Sequence, residues 1–345
     1  MATTLKDIAK AAGVSVTTVS LVLRDNPDPM ISRKTRDRVI GIARELKYTR
    51  NLHARALRMG KSRLIGLLMY DLDTRVAISK LDAIDGEAWK HGYRSLIRNA
   101  GGHEDMIPQL VQEYAGGAVE GLIIVQPTAE MNLRTLEPLI YGNIPIVTLE
   151  PIEGVAVDCV TVDRKHGAYI AIRHLVELGH RRIGMLHGYH SDMHVAPRIE
   201  GYRKALTEYS IPFDESLLME TGNGYEEGFR AAVDLLSRDL GITAIFCNDD
   251  EAAIGAMKAV RDRGLEVPGD IAMIGFDNIE AGAYAATPLT SVAQPVSEVA
   301  TCAVELLFER IANPGSGEPQ KLISLKPRLV IRESCGGSSL KWTRH

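Results

Sequence analysis

The sequence predicts a small all-α segment followed by an α/β core built as two doubly wound parallel-sheet lobes. Three observations carry this. Apolar residues recur at helical spacing from Leu5 to Leu46, with turn and capping residues in register. From Leu64 onward, short apolar runs alternate with amphipathic stretches, the pattern of parallel sheets covered by helices. Charge divides at the same place. Residues 1–63 hold 14 Lys and Arg against 5 Asp and Glu, a net +9, and the remainder holds 26 against 39, a net −13.

In the first segment, Leu5, Ile8, Ala9 and Ala12 define one helical face, with Asp7 in the first turn. Gly13 supplies a residue that can take positive φ and turn the chain sharply. Val14 would plug that corner. Ser15 is a good N-cap for a second helix running to about Arg24, with Val19, Val22 and Leu23 inward. Asn26-Pro27-Asp28-Pro29 breaks the chain, and Ser32 caps a third helix to about Leu46, with Val39, Ile40, Ala43 and Leu46 on its apolar face. Two short helices joined by a tight glycine turn and buttressed by a third make a helix-turn-helix arrangement. A basic segment with this patterning on an acidic body reads as a nucleic-acid contact surface. The competing reading is a small helical bundle without a ligand.

The core reads as strands at Leu64–Tyr70, Tyr93–Arg98, Gly121–Gln126, Pro145–Leu149, Cys159–Asp163, Ile183–His187, Ala244–Cys247, Ile271–Phe276 and Leu289–Val292. Helical stretches include Arg164–Leu178, Pro197–Tyr209, Tyr225–Ser237, Asp249–Arg263 and Val296–Ile311. Ligands of doubly wound sheets sit beyond the carboxyl ends of the strands. The polar residues there are Asp71, Asp73, Gln126, Glu150, Asp163, Asn248, Asp249 and Asp277, a set rich in hydrogen-bond acceptors and suited to a polyhydroxylated ligand. Asp and Asn at such places also cap the following helix, and Asp249 most resembles a cap.

Several classes are disfavoured. No apolar run approaches the roughly 20 residues of a membrane span, and the first residues lack a secretory pattern. The cysteines Cys159, Cys247, Cys302 and Cys335 are far apart, as expected of reduced thiols in a cytoplasm. His187, His190 and His194 have spacings that invite a metal, but no cysteine or acidic ligand set accompanies them, so neither metal nor cofactor is expected. The phosphate-cradling loop, the dinucleotide glycine turn and the Gly-x-Ser-x-Gly elbow of enzymes are all missing from the sequence.

The run Leu5-Lys6-Asp7-Ile8-Ala9-Lys10-Ala11-Ala12-Gly13-Val14-Ser15-Val16-Thr17-Thr18-Val19-Ser20 resembles the headpiece of the lactose-repressor/galactose-repressor family. Ser32-Arg33-Lys34-Thr35-Arg36 and Glu45-Leu46-Lys47-Tyr48 resemble its third helix and exit. Asn51-Leu52-His53-Ala54-Arg55-Ala56-Leu57 resembles its hinge helix, and the similarity continues to about Glu333. The resemblance implies a transcriptional regulator, most often a repressor, acting as a homodimer on an approximately palindromic double-stranded operator. It implies that Val16, Thr17 and Leu21 read base edges and that Thr18, Ser20 and Ser32 contact phosphates, with Ser15 and Asn51 in the same DNA-facing set. Leu57 would wedge into the minor groove with Ala54 beside it, flanked by Arg55 and Arg58 on phosphates. The structural alternative for Leu57 is an ordinary core leucine.

For the core, the resemblance implies a periplasmic-binding-protein-like pair of lobes that closes on a small, carbohydrate-like effector. It implies effector contacts from Arg198, Asn248 and Asp277, with Asp163 at the start of the second lobe and Gln294 at a crossover. The expected organisation is a headpiece over 1–49, a hinge over 50–61, a first lobe from 62–161 plus 293–332, a second lobe over 162–292, and a tail over 333–345. Three departures from the family pattern stand out. Leu21 replaces a common Arg or His, so it can meet a thymine methyl but cannot pair bidentately with guanine. Arg50 replaces a common Pro before the hinge. Asp73-Thr74-Arg75-Val76-Ala77-Ile78 replaces a segment that usually carries an aromatic, and Arg75 is expected to bind an anionic group or lie in solvent. The rival reading is a free sugar-binding protein of periplasmic type.

Overall fold

A computed structural model describes residues 3–23, 30–48, 62–72, 74–128, 131–188, 194–222, 224–315 and 318–337. The chain divides into two compact units, 1–62 and 63–345.

Among its described residues the first unit contains three helices, α1 (Leu5–Ala12), α2 (Val16–Val22) and α3 (Arg33–Glu45). Each starts on a side-chain cap. Thr4 and Asp7 form a reciprocal capping box, Ser15 accepts from the Thr18 N–H and Ser32 accepts from the Thr35 N–H. Gly13 takes φ 61°, closing α1 and turning the chain into α2. Ile8, Ala9, Ala12, Val19, Val22, Val39 and Ala43 form one small core. The expected inward position of Leu46 is not observed: it lies past the last turn of α3, 38% exposed. The helix α2 ends at Val22 rather than Arg24, which falls outside the described residues.

The second unit holds two six-stranded sheets. The first contains β1 (Leu64–Met69), β2 (Arg94–Asn99), β3 (Leu122–Ile124), β4 (Ile146–Thr148), β5 (Asp158–Val162) and, late in the chain, β11 (Leu322–Leu325). Its order is β2-β1-β3-β4-β5-β11, parallel throughout. The second contains β6 (Ile183–His187), β7 (Leu218–Glu220), β8 (Ala244–Cys247), β9 (Ala272–Asp277), β10 (Thr290–Ala293) and β12 (Arg328–Val330), ordered β7-β6-β8-β9-β10-β12. Among the described strands only β12 runs antiparallel, against β10. Near-continuous apolar runs such as Leu64–Met69 fit strands buried on both faces.

The chain crosses between the lobes three times. After β5 the helix Arg164–Glu177 packs into the second lobe. After β10 the helix Val296–Ala312 packs into the first, against the helix Arg75–Lys90. After β11 the chain crosses again into β12. The expected assignment of all of 293–332 to the first lobe is therefore corrected. β12 joins the second sheet through Ser291–Val330, Val292–Leu329 and Ala293–Arg328 pairing. Three short edge strands, β7, β11 and β12, and the helices Arg75–Lys90, Ile107–Glu113 and Leu133–Tyr141 were not anticipated from the sequence.

Candidate functional site

Two surfaces carry the polar groups singled out by the sequence. The first is the outer face of α2. Val19 and Val22 are buried against α1 and α3, so α2 is held by one side and presents the other. Ser15, Val16 and Thr17 are exposed, and Thr18, Ser20 and Leu21 are half-buried. The Ser15 and Thr18 hydroxyls lie 2.9 Å apart, and Ser15 Oγ accepts from the Thr18 N–H at 3.0 Å. Ser32 is exposed and makes the same arrangement with Thr35, at 2.9 and 3.2 Å. Both hydroxyl pairs sit at helix N-termini, where backbone N–H groups also favour an anion. The hinge residues Arg50, Asn51, Ala54, Arg55, Leu57 and Arg58 lie outside the described residues.

The second surface is formed by the carboxyl ends of both core sheets. At the point where strand order reverses in the first lobe, the Asp71 N–H donates to Gln126 Oε1 at 3.3 Å, and Gln126 Nε2 donates to Asp71 Oδ1 at 3.2 Å. Beside them, Glu150 follows β4 and is buried. Its two oxygens accept from Arg164 Nη1 and Nη2 at 2.7 and 2.6 Å, and one also accepts from the Thr161 hydroxyl at 2.7 Å. Both charges of this pair are more than nine-tenths buried.

The second lobe contributes Asn248, Asp249, Asp277, Arg198 and, from the crossover, Gln294. Asn248 and Arg198 are 5% and 6% exposed. Asp277 ends β9 at φ 103°, a conformation an L-residue adopts only when its surroundings hold it there, at about 1–3 kcal/mol. Gln294 Nε2 donates to Asp277 Oδ1 at 2.6 Å. The following turn is tied down by Asp250, which accepts from the Ser291 hydroxyl at 2.6 Å and the Ile279 N–H at 2.7 Å. Burial pushes the Asp250 carboxyl well up and raises that of Asp277, against the pull of Arg198. The Arg198 guanidinium lies 4.7 Å from the centroid of the Phe276 ring, and Nη1 donates to the His194 carbonyl at 3.2 Å. Three buried acceptor atoms, Asn248 Oδ1, Asp249 Oδ2 and Gln294 Oε1, have no hydrogen-bond donor among the described residues.

Several of the expected site residues also have structural partners. Asp163 stands at the first crossover, but its Oδ1 accepts from the His166 N–H at 2.8 Å, so its carboxylate caps the helix Arg164–Glu177. Asp249 does both: one oxygen accepts from the Ala252 N–H at 2.6 Å and the other is left over. Arg75 opens the helix Arg75–Lys90 and is exposed, near Glu251 and Tyr225 of the second lobe. His187 is buried at the end of β6, its Nδ1 2.7 Å from the Gly188 carbonyl. Asp73 and His190 fall outside the described residues.

Two groups in the cleft escaped the sequence reading. Arg164 is the buried partner of Glu150. Lys80 is 7% exposed on the stripe Ala77, Lys80, Ile84, Ala88 of its helix. A lysine on an otherwise apolar stripe spaced 3, 4 and 4 was the available signal.

Comparison with known proteins agrees with this geometry. The profile for bacterial regulatory proteins of the lacI family matches residues 4–51, and one for a periplasmic binding protein-like domain matches residues 172–335. The HTH-type transcriptional regulator DegA of Bacillus subtilis (strain 168) is 36% identical over 340 residues, covering 97% of this chain and 98% of that protein. The ribose operon repressor of Haemophilus influenzae is 31% identical, covering 96% and 98%. Among solved structures, the lac repressor dimer bound to operator and the anti-inducer ONPF superposes with a TM-score of 0.83 at 26% identity, covering 97% of this chain and 99% of that one. A LacI family transcriptional regulator from Enterococcus faecium with bound ribose gives 0.70 at 28%, covering 79% and 98%.

Proposed function

Because the chain belongs to the lacI family of bacterial regulatory proteins, we propose that it is a sequence-specific, DNA-binding transcriptional repressor of the cytoplasm, controlled by a small polyhydroxylated effector bound between the core lobes. It acts as a homodimer whose two headpieces meet the half-sites of an approximately palindromic operator. Val16, Thr17 and Leu21 on the free face of α2 read base edges. Ser15, Thr18, Ser20 and Ser32 fix the register against phosphates. Asn51, Ala54, Arg55, Leu57 and Arg58 carry the hinge contact in the minor groove.

The observation that carries the effector reading is the set of buried, donor-free acceptors Asn248 Oδ1, Asp249 Oδ2 and Gln294 Oε1 at the carboxyl ends of the second sheet. Buried acceptors without donors cost about 1–3 kcal/mol each, and hydroxyl groups of a ligand remove that cost. Asp71, Gln126, Arg198 and Asp277 complete the wall, while Arg75 guards the rim and Asp163 holds the crossover. The cellobiose and ribose bound by solved relatives support a carbohydrate-like ligand. No helix among the described residues is long and apolar enough to cross a membrane.

Binding across the lobes favours one closure state, and operator affinity changes with it; the coupling is reciprocal. Nuclease protection of a palindromic fragment tests the reading. The full chain protects it, a chain lacking residues 1–60 does not, and Leu57→Ala weakens protection strongly. A full chain that leaves every duplex unprotected at modest salt, with and without sugars, overturns it.

A further inference from the structure

We propose that the effector carries an anionic group, a carboxylate or a phosphate, and that Lys80 with Arg198 holds it at the floor of the cleft. This rests on the effector-controlled reading above and narrows the class of molecule.

Lys80 is 7% exposed, yet among the described residues its ammonium makes neither a hydrogen bond nor an ion pair. Lysine is almost never buried to this degree without a partner. Its three donors need acceptors, and desolvation without them is expensive.

The surrounding groups do not supply them. Glu150 and Asp277 are the nearby carboxylates, facing Arg164, Arg198 and Lys80. Both oxygens of Glu150 are taken by Arg164, and one also by Thr161. Asp277 accepts from Gln294, and burial raises its carboxyl against the pull of Arg198. His194 faces the same three cations and is held neutral by burial and by their charge. Arg164 is thus paired with Glu150, Arg198 faces Asp249 as well as Asp277, and Lys80 is the cation left without a carboxylate oxygen in hydrogen-bond reach among the described residues. The same surroundings lower the Lys80 ammonium to about 8, burial first and Arg164 next. An added anion would reverse that, because opposite charge stabilises the protonated amine.

Arg75, expected from the sequence to take an anion, is less suited. It is exposed, and Glu251 across the cleft already feels its charge as a stabilising partner. Lys80 lies five residues further along the same helix, at its buried face. Arg198 comes from the opposite lobe, so an anion held by both would tie the lobes together. That makes charge recognition part of closure.

Calorimetric and thermal-shift titrations of the full-length protein at constant ionic strength test this. The probes are gluconate and glucuronate, a hexose phosphate, inorganic phosphate, and neutral glucose and ribose. The expected result is that an acid or a phosphate binds at least about tenfold more tightly than its neutral parent. The arm that responds identifies carboxylate or phosphate as the source. Lys80→Met should lose about tenfold or more of that affinity, and Lys80→Arg should restore part of it. Neutral sugars binding while all anions are ignored, silence from every anion, or full anion affinity in Lys80→Met would each overturn the proposal. Failure of the wild-type protein to bind any operator would sink the regulatory reading instead, and these titrations are blind to it.

Discussion

Replacing Lys80 by methionine should stabilise the ligand-free core. The substitution keeps an unbranched, adaptable side chain at a buried position of the helix Arg75–Lys90, so little volume is lost. The magnitude follows from the amine. Burial, with Arg164 second, lowers it to about 8 from an ordinary 10.5, while in the unfolded chain it keeps the ordinary value. Below about 8 both states hold the proton, and the folded state carries the full cost of the buried charge; each pH unit between the two values corresponds to about 1.4 kcal/mol. The interval amounts to about 3 kcal/mol. Wild-type stability should therefore rise as pH climbs from about 8 toward 10.5, because there the unfolded state binds the proton and the folded state does not. Lys80→Met should be more stable than wild type by about 3 kcal/mol near neutrality, and that advantage should shrink as pH rises. Urea unfolding followed by circular dichroism across this range gives both curves. With m of about 1–3 kcal/mol/M, the neutral-pH midpoints separate by about 1–3 M. Taking the difference removes other titrating groups, such as the buried tyrosines. A variant less stable than wild type at neutral pH, or a gap that stays constant with pH, refutes the reasoning.

Three more perturbations follow. Glu150→Gln leaves Arg164 buried without the counter-charge of its partner and should destabilise the core by about 3 kcal/mol in the same urea assay; a loss under about 1 kcal/mol would reduce the pair to the worth of a surface contact. In Gly13→Ala the added Cβ meets no atom within 4 Å, so its cost is the backbone penalty of φ 61°, about 1–2 kcal/mol, confined to the headpiece. Headpiece helicity and operator affinity should fall while the core midpoint holds, and an unchanged headpiece argues against the turn. Arg198→Ala should leave operator binding in place but remove its dependence on effector, measured by DNA titration with and without ligand; an unaltered dependence takes Arg198 out of the cleft's machinery.

The sequence was most legible where local chemistry and periodicity agreed. Thr4, Ser15 and Ser32 each begin a helix because a short hydroxyl side chain can accept from the first turn, and two of the three were readable in advance. Long apolar strands such as Ile183–His187 came out to the residue. The edge strands β7, β11 and β12 did not, since three or four residues with one exposed face carry little periodicity. The place of β12 depends on which sheet lies within reach after a crossover, and no local pattern encodes that. Among the expected site residues, Asn248 and Arg198 lie buried and Asp277 ends β9, while the Asp163 carboxylate caps the helix Arg164–Glu177, and a capping aspartate and a ligand aspartate look alike in sequence. Lys80 was missed because the helix carrying it was not recognised, so the charge had no apolar stripe to stand out against.

The three passages between lobes also determine how this protein can be made and cut. Neither lobe is a continuous stretch of polypeptide: the first lacks its helix Val296–Ala312 and its strand Leu322–Leu325 until β6 to β10 of the second have been made. A fragment ending after β10 would expose the apolar faces of Val299, Ala303 and Leu307's missing counterparts, Ile84 and Ala88 among them. A nonsense codon anywhere before the last strands should therefore yield an aggregating product rather than a half-active one, whereas the headpiece, encoded without interruption, can be expressed or exchanged as a cassette.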